Sequence, residues 1–261
     1  MYPTIPSIIL NFVAQAACTV GAVYLCGFII ALLNKGFYRN FGSSALTVCY
    51  VTGFIGTPVH ECSHALMCLI FGHKITDMKL FQIGAEDGTL GYVEHSYNPR
   101  NLYHRIGTFF IGVAPVTVIS FLLYLLSNWL TPGMVDDLMS VSFRGNFFGA
   151  IGDIFVILGS NAITWQFWVY LILAVFLSLH MTLSGADIKN SLMGMLFLML
   201  PLLAVDIVLG ILNTNWLASF TEGVWNVAWL VIPQLIFGVI ITAIVYLLSF
   251  PIAKLTRALR R

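Results

Sequence analysis

Six stretches of this chain, 7–33, 45–73, 106–130, 163–185, 190–212 and 226–250, are each long and apolar enough to cross a lipid bilayer. About 20 mostly apolar residues make one spanning helix, because hydrocarbon offers the backbone no hydrogen-bond partners and a helix satisfies its own. A soluble fold does not compete. Hydrophobic residues make up 59% of the chain and charged residues 9%, too few polar side chains to cover a water-facing surface. The runs predict an all-α, multi-pass membrane bundle of about six helices, a single domain over residues 1–261. Tyr38, Trp129, Trp165, Trp168, Trp216 and Trp225 stand near the expected helix ends, where amphipathic rings favour the headgroup zone. Ala14-Gln15-Ala16 mimics a signal-peptidase site, but no Lys or Arg precedes it and the apolar run continues to Leu33. A retained first span is expected.

Charge sets orientation and excludes one class of partner. Lys254, Arg257, Arg260 and Arg261 place the C-terminus in the cytoplasm by the positive-inside rule, and six spans place the N-terminus there too. Lys35 and Arg39 do not fit this scheme, which puts them outside. The expected location is the plasma membrane of a prokaryote. A formal net charge of +1 without a basic face excludes nucleic acid as a partner. Cys18, Cys26, Cys49, Cys62 and Cys68 all fall within apolar sequence, where a thiol packs as a small hydrophobe, so no disulfide framework is expected.

Two connections are long. Residues 74–105 have soluble-like chemistry. Within them, 78–83 and 89–95 read as strands joined by Gly84-Ala85-Glu86-Asp87-Gly88, whose Asp-Gly pair is a turn signal. A small membrane-adjacent β-hairpin is expected there, on the cytoplasmic side. Residues 131–162 mix Phe143, Phe147, Phe148 and Phe155 with glycines, with Asp136, Asp137 and Asp153 set against Arg144. They predict an outward-facing interfacial or re-entrant piece.

The chemistry sits inside the second apolar run, as His60-Glu61-Cys62-Ser63-His64. Two histidines four apart on a helix differ by about 40° in azimuth and one turn in height, so both imidazoles can reach one metal ion. A glutamate beside the first can take a proton from water, the arrangement found where zinc activates water for hydrolysis. Ionisable groups within a span are costly, and they mark function more often than packing.

The sequence around this motif resembles the site-2 protease family of intramembrane zinc proteases. The resemblance rests on Gly56-Thr57-Pro58-Val59-His60-Glu61-Cys62-Ser63-His64-Ala65 in an apolar helix, a following hairpin, and Gly112-Val113-Ala114-Pro115 in another span. It covers about residues 50–120, with a weaker match near 180–190. It implies one catalytic zinc ion held by His60, His64 and an aspartate from a later span, with the Gly-Pro segment beside the site. The chain departs from the family in having Ser63 where glycine is usual. It also has Ser184-Gly185-Ala186-Asp187-Ile188 in place of Asn-Pro-x-Asp-Gly.

His180, Ser184 and Asp187 are spaced to share one helix face at the end of the fourth run, and they offer two candidates for the third ligand. The resemblance favours Asp187. His180 is then expected beside the substrate, where it or a backbone amide steadies the oxyanion at the attacked carbonyl. Asp206 and Asp153 are further candidates for the ligand. His73, His95 and His104 flank the hairpin and read as surface or interfacial residues. The resulting expectation is a zinc metalloendopeptidase with His60, His64 and Asp187 on the metal and Glu61 as general base. Its substrate is a membrane-embedded, membrane-anchored or membrane-adjacent protein, the lipid bilayer is a further partner, and a homo-oligomer or regulatory partner is left open. The rival readings are a zinc hydrolase of lipid-linked or small amide substrates and a metal-binding membrane protein without catalysis. Glu61 disfavours the last, because a structural zinc site needs no base.

Overall fold

The computed structural model describes residues 4–85, 88–141 and 147–258. Helix α1 (Ile5–Ala16) passes through a π-helical turn, Ala17–Gly21, into α2 (Ala22–Phe41). The chain then bends at Gly42, whose φ of +52° only glycine adopts freely. A 3-10 turn, Gly42–Ser44, leads into α3 (Ala45–Ile70). Asn34 on α2 and Thr52 on α3 would lie about 27 Å apart on collinear helices. Both instead reach one short segment, since Asn34 Nδ2 donates to the Ser178 carbonyl at 2.9 Å and Thr52 Oγ1 lies 3.0 Å from His180 Nε2. Helices α2 and α3 therefore fold back on each other.

Strands β1 (Lys74–Lys79) and β2 (Tyr92–Ser96) follow, then α4 (Leu102–Leu130), α5 (Met134–Ser140), α6 (Phe147–Asn161), α7 (Trp165–Leu179), α8 (Gly185–Leu212) and α9 (Thr214–Ala258). Four helical stretches, Ile5–Ile70, Leu102–Leu130, Gly185–Leu212 and Asn215–Leu255, are long and apolar enough to cross a membrane. The pair Gly152–Asn161 and Trp165–Leu179, bent by 110°, makes a fifth if counted as one span. The first stretch is the folded-back α1–α3 arm and holds the first two apolar runs, while the fourth run holds only the 15-residue α7. The fold is an all-α membrane protein with a small β-hairpin. Its outer surface carries Leu10, Phe54, Ile211 and Leu247, all largely exposed, as lipid contact requires.

Helix α4 is the central element. It packs against α3, α7, α8 and α9, and 56% of its apolar window is buried against 11% for α8. Val113, Val116, Ile119 and Leu123 of α4 meet Ile30, Leu177, Met181 and Leu235 in one core.

Three expectations change. The antiparallel ladder pairs Lys74 with Ser96 and Lys79 with Tyr92, with an irregularity between Ile75 and Asp77, so it begins earlier in the chain than the expected first strand at 78–83. Phe81 and Leu90 leave the ladder to pack on α3, Phe81 meeting Phe54 edge to face and both lying over Gly53. The fourth span ends at Leu179 rather than 185, and α8 begins at Gly185. His180, Ser184 and Asp187 therefore do not form a continuous helical stripe. Glu86, Asp87, Phe143, Arg144, Arg260 and Arg261 lie outside the described residues.

Candidate metal centre and active-site cavity

Helix α3 turns Glu61 and His64 inward, each 6% exposed, and sets His60 one turn before His64. The rings are aimed by two backbone carbonyls. His64 Nδ1 donates to the Ile111 carbonyl at 2.7 Å. In an unbroken helix that carbonyl would accept from residue 115, but Pro115 has no N–H to give. The Gly112-Val113-Ala114-Pro115 segment thus frees an acceptor beside the motif. His60 Nδ1 donates to the His180 carbonyl at 2.7 Å, which is free because α7 has already ended.

With both Nδ1 atoms carrying protons, both Nε2 atoms present lone pairs, and these face each other at 3.2 Å. Two lone pairs at that distance suit a cation between them. The third donor comes from the first turn of α8. There Ser184 and Asp187 form a reciprocal cap: Ser184 N donates to Asp187 Oδ2 at 2.8 Å and Asp187 N to Ser184 Oγ at 3.1 Å. This binds one carboxylate oxygen and leaves Oδ1 3.4 Å from His64 Nε2.

The ligand atoms of His60, His64 and Asp187 all lie within 4.8 Å of one another. Tetrahedral zinc with bonds of about 2.0–2.1 Å has ligand–ligand edges of roughly 3.3–3.4 Å. The spacings of 3.2 and 3.4 Å match those edges, so the residues fit zinc. Close helix packing holds them there. A Cβ on Gly56 would lie 2.4 Å from the Phe176 carbonyl, and one on Gly112 would lie 2.5 Å from the Asp187 carbonyl. These glycines let α7 approach α3, and α8 approach α4.

A cavity of about 370 Å³ opens on this group, bounded by His60, Glu61 and His64 of α3, Ile111 and Gly112 of α4, and Asp187 and Asn190 of α8. Another wall is the hairpin, through Thr89, Gly91, Tyr92, Val93 and His95. The volume falls within the usual range for a small-molecule or peptide-segment pocket, about 300–1,000 Å³.

The His180 ring is absent from this lining among the described residues. Its nitrogens lie 3.0 Å from Thr52 Oγ1 and 3.3 Å from Thr57 Oγ1, so its backbone carbonyl, rather than its ring, meets the site. Asp206 lies 19 residues beyond Asp187 on α8, about 28 Å along the axis. It is fully buried and accepts from Gln15 Nε2 at 3.2 and 3.3 Å. Asp153 is exposed on α6.

Of the hairpin histidines, His73 is buried, while His95 and His104 are half-buried. His73 is 4% exposed, donates through Nε2 to the His104 carbonyl at 2.8 Å, and meets His95 with the two Nδ1 atoms 3.1 Å apart. Burial holds both His73 and His95 below the usual imidazole range; neighbouring imidazoles add to this. Sequence reasoning missed His95 and Asn190 as cavity residues, and it missed the supporting carbonyls. Pro115 four residues after Ile111 was the available signal for one carbonyl, and the Ser-x-x-Asp spacing at 184–187 was the signal for the cap.

Residues 53–160 match the model of a family whose description is "Putative zincin peptidase". The match runs from α3 through the hairpin and α4 into α6, and it supports a zinc metallopeptidase in general. No curated protein and no solved structure matches the chain.

Proposed function

We propose that the chain is an intramembrane zinc metalloprotease of the site-2 protease type, hydrolysing peptide bonds of membrane-anchored or membrane-adjacent proteins. The observation that carries this reading is the convergence of His60, His64 and Asp187 beside Glu61, at a cavity walled by membrane helices on one side and a β-hairpin on the other. Zinc bound there would supply a Lewis acid for the attacked carbonyl and bring the pKa of a water toward neutrality.

The chain's own residues do the rest. The Glu61 carboxylate takes a proton from the attacking water and returns it to the amide nitrogen as the C–N bond breaks. The Ile111 and His180 carbonyls keep both imidazoles in the tautomer that offers Nε2. The Ser184 cap keeps one Asp187 oxygen turned to the same point.

A substrate helix must unwind before attack, because its peptide groups are bonded to one another. The hairpin beside the cavity offers the freed backbone a strand to pair with. That edge favours a peptide over a lipid-linked or small amide substrate. In this reading the hairpin and the C-terminus are cytoplasmic, as the basic residues near the C-terminus suggest.

The test is metal analysis of the purified protein with a cleavage assay on a membrane-anchored reporter. About one zinc per chain is expected. Glu61→Gln should keep that zinc and lose activity by two or more orders of magnitude, as removal of a general base implies. A wild-type protein without zinc, or a Glu61→Gln protein that cleaves normally, overturns the proposal.

A further inference from the structure

His95 stands on β2 in the wall of the cavity, opposite the motif helix, and nothing in the reaction described above uses it. Its protonation pattern follows from its neighbours. The His104 carbonyl can only accept, so His73 Nε2, 2.8 Å away, carries a proton. Neutral His73 then has a lone pair on Nδ1. That atom lies 3.1 Å from His95 Nδ1, so the proton of His95 sits on Nδ1 and is donated to His73. Nε2 of His95 is left with a lone pair, the one ring nitrogen not engaged by His73 on a residue that lines the cavity.

The relay is held rigidly. Tyr97 stacks on His73 with centroids 4.7 Å apart, and His104 Nδ1 accepts from the Asn98 backbone N–H at 3.2 Å. The neutral state this requires agrees with the lowered pKa of both rings, for which burial is the main cause.

We infer that His95 is a substrate-contacting residue of the peptidase, its Nε2 accepting a hydrogen bond from a backbone N–H of the peptide beside the attacked bond, with His73 as the positioning residue that sets its tautomer. This rests on the peptidase reading and adds a specificity that reading lacks. An extended backbone brings N–H donors that an ester or a lipid-linked group does not. The cavity's zinc ligands and Glu61 supply acceptors committed to metal and proton transfer. His95 supplies one committed to recognition.

The test uses the full-length protein and a membrane-anchored fluorogenic peptide that the wild type cleaves, together with analogues N-methylated at each amide flanking the cleaved bond. His95→Ala should keep its zinc and lose kcat/KM on the order of tenfold, the loss expected for one hydrogen bond. His95→Gln, whose amide oxygen reaches the place of Nε2, should recover most of it. At one amide position, N-methylation should cost the wild type about as much as the alanine substitution. At that position it should cost His95→Ala nothing further. Nitrogen NMR of the labelled wild type should show His95 Nε2 unprotonated and Nδ1 protonated, and His73→Leu should mix the two tautomers.

The inference is overturned if every N-methyl penalty is the same in wild type and His95→Ala, or if His95 carries its proton on Nε2. It is overturned too if folded His95→Gln loses zinc, which makes His95 a ligand. A second zinc lost in His73→Leu has the same effect, because the pair then holds a metal. A wild type that neither binds zinc nor cleaves overturns the peptidase reading itself, whereas normal Glu61-dependent cleavage with unaltered His95 variants overturns only this inference.

Discussion

The molecule contains two histidine pairs with nearly the same spacing: His60 and His64 with nitrogens 3.2 Å apart, and His73 and His95 with nitrogens 3.1 Å apart. Their outer partners make them different objects. Each ring of the first pair gives its Nδ1 proton to a carbonyl, of His180 or Ile111, so two lone pairs face each other and suit a cation between them. In the second pair only His73 is tied to a carbonyl, that of His104, so His95 keeps a proton to donate and the pair closes as an ordinary hydrogen bond. The distance between two imidazoles therefore does not identify a metal site. The atoms behind the rings do, and in the first pair one of those atoms is exposed by a missing N–H at Pro115.

The contrast is broken most severely by removing the carboxylate that only the first pair possesses. Asp187→Ala should weaken zinc binding by more than about 100-fold, beyond the loss typical of a supporting hydrogen bond, and should abolish cleavage. His73→Leu should leave zinc content unchanged. His180→Ala should also keep most of its zinc, because the backbone carbonyl that orients His60 remains. Zinc titration of the three variants decides. Loss of metal in His180→Ala with metal retained in Asp187→Ala would reverse the assignment and make His180 the third ligand.

A smaller effect is expected from the residue that aims Asp187. Ser184→Ala removes the Oγ that accepts from Asp187 N, which should cost α8 about 1 kcal/mol of capping. With the carboxylate less well fixed, zinc affinity should fall by about 10–100-fold. A Ser184→Thr protein, which keeps the hydroxyl, should recover most of it. Equal zinc affinity in wild type and Ser184→Ala would show that the cap does not position the ligand.

The hairpin's closeness to Glu61 can be sharpened at Gly91. A Cβ there would lie 2.8 Å from both Glu61 Cγ and Thr57 Cγ2, and 2.9 Å from the Leu80 carbonyl. Gly91→Ala should cost about 1–3 kcal/mol of local packing and lower the cleavage rate while zinc stays bound. Thermal unfolding together with a cleavage assay separates the two effects. An unaltered rate would mean that the hairpin does not press on Glu61.

Part of this site was legible in the sequence because its signal is periodic and local. The six apolar runs, the four-residue spacing of His60 and His64, and the neighbouring Glu61 all follow from helix geometry over a single element. Asp187 was reached by resemblance, and its expected helical stripe with His180 is interrupted by the end of α7 at Leu179. What holds Asp187 is the cap from Ser184, a local signal that was present but overlooked. The His73–His95 contact was not legible, because it joins residues 22 apart across a bulged ladder whose register depends on where Phe81 and Leu90 pack. Asp206, a lesser candidate for the third ligand or a buried acid, turns out to be the latter. An acid in an apolar helix invited a ligand role, and the structure gives it Gln15 instead.

The smallest expected effect is of pH on the second pair, and it has a definite sign. His73 and His95 are held below the usual imidazole range by burial, with His104 and His64 as the further titratable neighbours. Tyr97 also lies against both rings. In the unfolded hairpin these imidazoles take up protons below about pH 6.5, while in the folded hairpin they resist until the pH is lower. Below about 6.5 the unfolded state binds more protons, so stability rises with pH up to that value and is level above it. As the pH falls from 6.5 toward the depressed folded values, the attachment of β2 to the end of α3 should weaken progressively. Protonation of His73 would also remove the lone pair that receives the His95 proton. Hydrogen exchange of the Tyr92–Ser96 amides should therefore be more protected at pH 7.5 than at pH 5.5, after correction for intrinsic exchange rates. The difference should shrink in His73→Leu, which has one titrating ring fewer. Equal protection at the two pH values would mean that the buried pair remains neutral in the unfolded chain or is charged in both states, and the relay assigned to His95 would lose its pH signature.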